Sequence, residues 1–115
     1  MENQDLKIRT KKFALEIITL YRKLPKSAEF QTIGKQLLRS STSVGANTRS
    51  AYRGRSRKEY IAKIGIVIEE ADESGFWIEL LEEISINNKE NLLELRNEAN
   101  ELTAIFTSIA KKYKA

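Results

Sequence analysis

The sequence predicts an all-α protein, an antiparallel up-down-up-down four-helix bundle, and three observations predict it. Apolar residues recur at three-and-four spacing in four separate segments, as they do in helices that bury one stripe. The segments are divided by short breaks at Pro25, at Gly54 and in "INNKEN", and short connections imply antiparallel neighbours. The composition agrees: 41% hydrophobic and 31% charged residues, with one Pro and five Gly, suit a helix-rich globular chain better than a β-sandwich or a disordered chain. The 115 residues fit one bundle domain over residues 1–115, large enough for a single core and small for an enzyme with a deep cleft of its own.

The first helix is expected from about Asp5 to Leu24, with Leu6, Phe13, Ile17, Leu20 and Leu24 on one face and Thr10 completing the register. Pro25 ends it, because the residue before proline is pushed out of the helical region. The second helix starts near Ser27, an N-cap residue type, and its seam runs through Phe30, Ile33, Leu37, Ser40, Val44, Asn47 and Ala51. Gly54 closes it and Ser56 caps the third, which extends to about Ile86. That helix carries two adjacent apolar stripes: Ile61, Ile64, Ile68, Ala71, Gly75 and Ile78 form one, and Tyr60, Val67, Trp77 and Leu81 the other. "INNKEN" reads as a loop. The fourth helix carries Leu92, Leu95, Ala99, Leu102, Phe106, Ile109 and Tyr113 in heptad spacing.

An elbow at Gly54 and Arg55 sets which residues of the second and third helices face each other. It places Gly45 opposite Gly65 and Gly34 opposite Gly75, and a mid-helix glycine, costing roughly 1 kcal/mol against alanine, is then offset by close backbone approach. The same register puts Arg39 opposite Glu69, Glu70 and Glu73, which reads as structural ion pairing. Ser40 and Asn47 sit on the seam, where polar groups need hydrogen bonds; bonding to their own helix backbone is the favoured reading over contact with a ligand. The third helix has more apolar surface than one seam needs, so Tyr60, Val67 and Trp77 are the expected oligomer interface.

Several chemistries are excluded. Without Cys or His there is neither thiol chemistry nor the usual general base. The carboxylates of "EEADES" invite comparison with di-iron bundles, but those need Glu-x-x-His, and no His is present. No cofactor and no metal are expected, and the chain is read as no enzyme. No apolar run approaches the roughly 20 residues of a membrane span, and "MENQDLKIRTKKF" is polar where a signal peptide is apolar. A cytoplasmic protein with no membrane partner is expected.

Charge carries the functional signal. The net charge of +4 divides along the chain: Glu69 to Glu101 holds eleven acids against Lys89 and Arg96, leaving +13 on the rest. Within that remainder Arg49, Arg53, Arg55, Arg57, Lys58 and Lys63 cluster around the elbow against the single acid Glu59. The arginine fork suits phosphate oxygens, and Tyr52 and Tyr60 offer rings on which an unpaired base can stack. Cations at the start of the third helix oppose its dipole, so local helix stability does not account for them. These six residues are the candidate nucleic-acid site. The turn has no Walker or dinucleotide pattern.

"LLRSSTSVGANTRSAYRGRSRKEYIAKIGIVIEEADESGFWIELLEE", Leu37 to Glu83, resembles the bacterial four-helix-bundle proteins related to the intervening-sequence protein of 23S ribosomal RNA genes. "SVGAN", "RSRKEYIAK" and Glu69 to Leu81 carry the likeness most strongly, while the first and last helices match in pattern. Many members have Asn followed two residues on by Glu-Gly, whereas here Asn47 is followed by Arg49, Ser50 and Ala51. The resemblance implies a homo-oligomer, a pentamer, with a positive surface and no established catalytic activity. The accessory protein of diversity-generating retroelements is similar in architecture, and its class binds nucleic acid and a reverse transcriptase. The expected function is therefore a non-enzymatic oligomer that binds RNA or DNA through phosphates at the elbow. The alternative is an assembly adaptor whose charged faces recognise a protein partner, with no nucleic-acid role.

Overall fold

The breaks in the chain have local causes that can be named residue by residue. The structure, a computed structural model, describes residues 2–114, which form α1 (Glu2–Lys23), α2 (Ala28–Ala51), α3 (Arg57–Ile84) and α4 (Lys89–Lys114). After α1, Pro25 removes a backbone donor and fixes φ. The turn is then pinned from both sides: the Tyr21 hydroxyl donates to Gln31 Oε1 at 2.7 Å, and Gln31 Nε2 donates to the Pro25 carbonyl at 2.9 Å. Ser27 has the extended backbone of an N-cap, but its side chain makes no cap bond.

At the elbow, the Gly54 N–H bonds the Ala51 carbonyl at 3.2 Å. A Cβ on Gly54 would lie 3.1 Å from that same oxygen, so glycine lets the chain fold back over the end of α2. Ser56 then caps α3 by accepting from the Glu59 N–H at 3.1 Å, while the Glu59 carboxylate accepts from the Arg55 N–H at 2.9 Å. This is a capping box shifted by one residue. α3 ends at Ile84, earlier than its periodicity suggests. Asn88, at φ 64°, takes the left-handed conformation that asparagine tolerates better than most residues. It lets α4 start at Lys89, so only the first half of "INNKEN" is loop.

Every neighbouring pair of helices is antiparallel. Thr10 faces Gly45 and Tyr21 faces Gly34 across α1 and α2; Ser40 meets Ser74 across α2 and α3. Glu82 meets Arg96 across α3 and α4, and Arg9 meets Glu98 across α1 and α4. α3 packs as extensively on α2 as on α4, whereas α1 rests mainly on α2 and only lightly on α4. Phe13, Ile17 and Leu20 of α1 fill the centre with Leu37 and Val44 of α2, Ile64 and Ile78 of α3, and Leu102 and Phe106 of α4. Burial of each such side chain contributes about 1.5–3 kcal/mol.

The core's polar groups are satisfied, and no described buried side-chain polar atom lacks a partner. Thr10 and Thr48 donate to the carbonyls of Leu6 and Val44. Ser40 lies within reach of the Leu37 carbonyl and of the Ser74 hydroxyl, 2.8 Å away. Asn47 is half-buried and donates to the Ser43 carbonyl and hydroxyl. Both seam residues bond within the fold, as their positions suggest.

Two expectations are corrected. The glycines do not pair across α2 and α3. Gly34 and Gly45 both face α1, Gly75 faces Ala99 and Asn100 of α4, and a Cβ on Gly65 would meet nothing within 4 Å. The second correction concerns the broad apolar stripe of α3. Val67 is fully buried within the single chain, as is Leu81, because α3 is flanked by α2 on one side and α4 on the other and needs two buried stripes. Val67 therefore belongs to the core and offers no surface to a second copy. Tyr60 and Trp77 are half-buried; the Tyr60 ring packs against Tyr52 and Tyr113, and Trp77 Nε1 donates to Glu73 at 3.0 Å. The large apolar side chains that α3 does expose are Phe76, at 50%, and Ile84, at 41% in its last turn.

Candidate nucleic-acid interface

The last turns of α2 and the turn that follows present Ala46, Arg49 and Arg53 on one exposed ridge, because these positions are three and four residues apart and the opposite face is held inward by Val44, Thr48 and Ala51. A groove lies on each side of this ridge. On the α3 side, Arg49 and Arg53 are joined by Arg55 and Lys63 around a groove of about 540 Å³, with Ala62 opposite. On the α1 side, the same two arginines are joined by Lys7 and Lys11 around a groove of about 490 Å³, with Gly45 and Ala14 in its wall. Small residues at Gly45, Ala46 and Ala62 leave the space open, and cations surround it.

None of these six cations enters an ion pair among the described residues. The ion pairs there are made by Arg9 with Glu98 and Glu101, Arg39 with Glu70 and Glu73, and Arg96 with Glu82. The one acid in either groove wall is Glu59, and its carboxylate is engaged by the Arg55 backbone N–H. The grooves therefore hold charge that the fold neither neutralises nor uses.

The elbow residues separate into three groups. Arg49, Arg53, Arg55 and Lys63 come together on the groove as the sequence suggests. Lys58 is exposed on the first turn of α3 but lines neither groove. Arg57 points elsewhere: its guanidinium donates to the Tyr113 carbonyl near the end of α4 and lies 5.9 Å from the centre of the Tyr113 ring. That position satisfies a carbonyl at the end of α4 and suits a cation there, so Arg57 is drawn toward α4 and away from the grooves.

Lys7 and Lys11 are the residues that sequence reasoning missed. Their spacing of four places them on one face of α1, and the Pro25 turn sets α1 antiparallel to α2. That signal was present but lay far along the chain from the elbow. Tyr52 and Tyr60 also differ from expectation. Their rings pack against each other with centroids 5.5 Å apart, Tyr60 packs on Tyr113 at 4.9 Å, and neither lines a groove. The tyrosines close the end of the bundle and supply no stacking platform in the grooves.

No described helix is long and apolar enough to cross a membrane. The model of the family described as 23S rRNA-intervening sequence protein matches residues 2–108. Among solved structures, the chain is similar to a protein of unknown function from the S23 ribosomal protein family of Bacteroides thetaiotaomicron, with a TM-score of 0.87 and 34% identity over 96% of this chain and 99% of that one. The curated proteins provide no match.

Proposed function

The chain belongs to the 23S rRNA-intervening sequence protein family, and from that premise we propose that it is a non-enzymatic, cytoplasmic nucleic-acid-binding protein that holds phosphates in the two basic grooves. One observation carries the reading: Lys7, Lys11, Arg49, Arg53, Arg55 and Lys63 surround two adjoining grooves, and among the described residues no carboxylate is paired to any of them. Among the described residues, Arg9, Arg39 and Arg96 are met by carboxylates, whereas the groove cations converge on open space. The family takes its name from 23S rRNA, which makes RNA the first ligand to test.

The same reading includes assembly. Phe76 at 50% exposure and Leu15 at 53% support contact between copies. Residue resemblance implies a pentamer, whose symmetry would repeat the grooves and multiply a weak phosphate site into useful avidity. The mass of the native assembly measures this directly, with a monomer at working concentration as the contrary result.

Binding is measured by anisotropy of labelled RNA and DNA at about 50 and 200 mM salt, where six neutralised phosphates predict a loss of about 10³-fold in affinity between the two. Arg49→Glu/Arg53→Glu, which alters both grooves at once, is expected to abolish it. Salt-independent binding, or full binding by this variant, contradicts the proposal. A folded protein that binds no nucleic acid at the lower salt returns the grooves to the alternative, an adaptor for an acidic protein partner.

A further inference from the structure

We infer that the ligand of the two grooves is a double helix, held through the phosphates of both strands, and that Lys7 and Lys11 of α1 are binding residues. This inference rests on the nucleic-acid reading above and sharpens it. Proteins that hold single strands without reading sequence lay successive bases on aromatic rings, and each stacked base contributes about 1–3 kcal/mol. Neither groove is lined by an aromatic side chain. The tyrosines nearest in sequence are packed on one another at the end of the bundle. The large apolar residue at the rim, Ile8, has no π face.

Base edges find few readers here. Thr42 and Ser50 are the uncharged polar side chains lining the grooves, and the site has no amide side chain able to bond an adenine edge in two places. What remains is a phosphate-binding surface. A duplex presents one charge per roughly 1.7 Å of its axis, twice the density of one of its strands, and is recognised by shape and backbone contacts when its bases are paired. Two basic grooves on either side of the Ala46, Arg49 and Arg53 ridge match two phosphate rows better than one. On α1, Lys7 and Lys11 stand one turn apart, about 6 Å along the helix, on the far side of that ridge from Arg55 and Lys63. The surface is therefore built from three helices, with its α1 part more than thirty residues along the chain from the rest.

The test compares a short mixed-sequence RNA duplex with each of its separated strands, and the same set in DNA, using the full chain and Lys7→Ala/Lys11→Ala, with helical circular dichroism confirming that the variant folds. The duplex is expected to bind at least about tenfold tighter than either strand, and the variant to lower the duplex salt slope by about two, roughly one per lost phosphate contact. Strands bound as tightly as the duplex, or tighter, overturn the double-helix inference while leaving nucleic-acid binding intact. An unchanged salt slope in the folded variant removes Lys7 and Lys11 from the surface. Absence of binding to every probe overturns the proposed function, and this inference falls with it.

Discussion

The two halves of α2 use arginine in opposite ways. In the first half, Arg39 is clasped by Glu70 and Glu73 of α3. Burial works against its charge, but the two carboxylates outweigh that and raise its pKa. Gly34 in the same half is pressed against Tyr21 and Leu24. In the second half, Arg49 stands exposed, with Arg53 just past the helix end, and neither forms an ion pair among the described residues; two open grooves flank them. One helix thus combines a segment that holds the bundle together with a segment that leaves charge available. The acids divide likewise: those of α3 and α4 that form ion pairs among the described residues do so with Arg9, Arg39 and Arg96, while Glu59 at the elbow accepts from the Arg55 backbone N–H.

The strongest way to break this contrast is to measure stability and binding on the same variants. Arg49→Glu/Arg53→Glu is expected to lose at least about 100-fold in nucleic-acid affinity, since it removes two phosphate contacts and adds two repulsions, with thermal stability within about 0.5 kcal/mol of the parent because exposed substitutions change little. A large drop in melting temperature would mean that these arginines hold the fold after all, and the contrast would disappear.

The reverse result is expected for glycine in the first half. A Cβ on Gly34 would lie 2.8 Å from both Tyr21 and Leu24, and the Tyr21 ring is tethered through its hydroxyl to Gln31, so Gly34→Ala should destabilise by about 1–3 kcal/mol with binding unchanged. Gly65→Ala is its control on α3: nothing lies within 4 Å of the added methyl, and the gain in helix propensity should stabilise by at most about 1 kcal/mol. Chemical denaturation of the pair reads both signs. A loss at Gly65, accompanied by a smaller assembly, would show that a second copy covers that face.

This pair also shows where the sequence could be read and where it could not. Periodicity identifies which side of a helix turns inward, so Leu6, Phe13, Ile17, Leu20 and Leu24 were all legible as one seam, and each is buried. The residues around Leu37 to Glu83 carry the family, and the elbow register puts Arg39 opposite Glu69, Glu70 and Glu73, of which Glu70 and Glu73 hold it. Periodicity does not say which neighbour a given face meets. The elbow register turns Gly45 of α2 toward α3, yet it packs on α1; the width of the α3 stripe makes Val67 surplus surface, yet it is core. The same ambiguity hid Lys7 and Lys11: two lysines one turn apart on a charged helix look like ordinary solvated surface until α1 is set against α2. Tyr52 and Tyr60 were legible as rings near cations, but only the ring packing shows that their faces are occupied.

The smallest expected effect gives the finest test of the contrast within α2. Arg39→Ala removes a guanidinium that is 49% exposed in its side chain, and exposed pairs contribute about 0–1 kcal/mol because water screens them and two long side chains must be held still. The loss should fall in the upper part of that range, since Glu70 and Glu73 are left one turn apart with like charges and no cation between them. Nucleic-acid affinity should not change, because Arg39 lies outside both grooves and its charge is already met by two carboxylates. A drop in affinity with stability preserved would extend the phosphate surface along α2 toward the middle of the bundle. The two halves of the helix would then share one phosphate surface that reaches from Arg39 to the elbow.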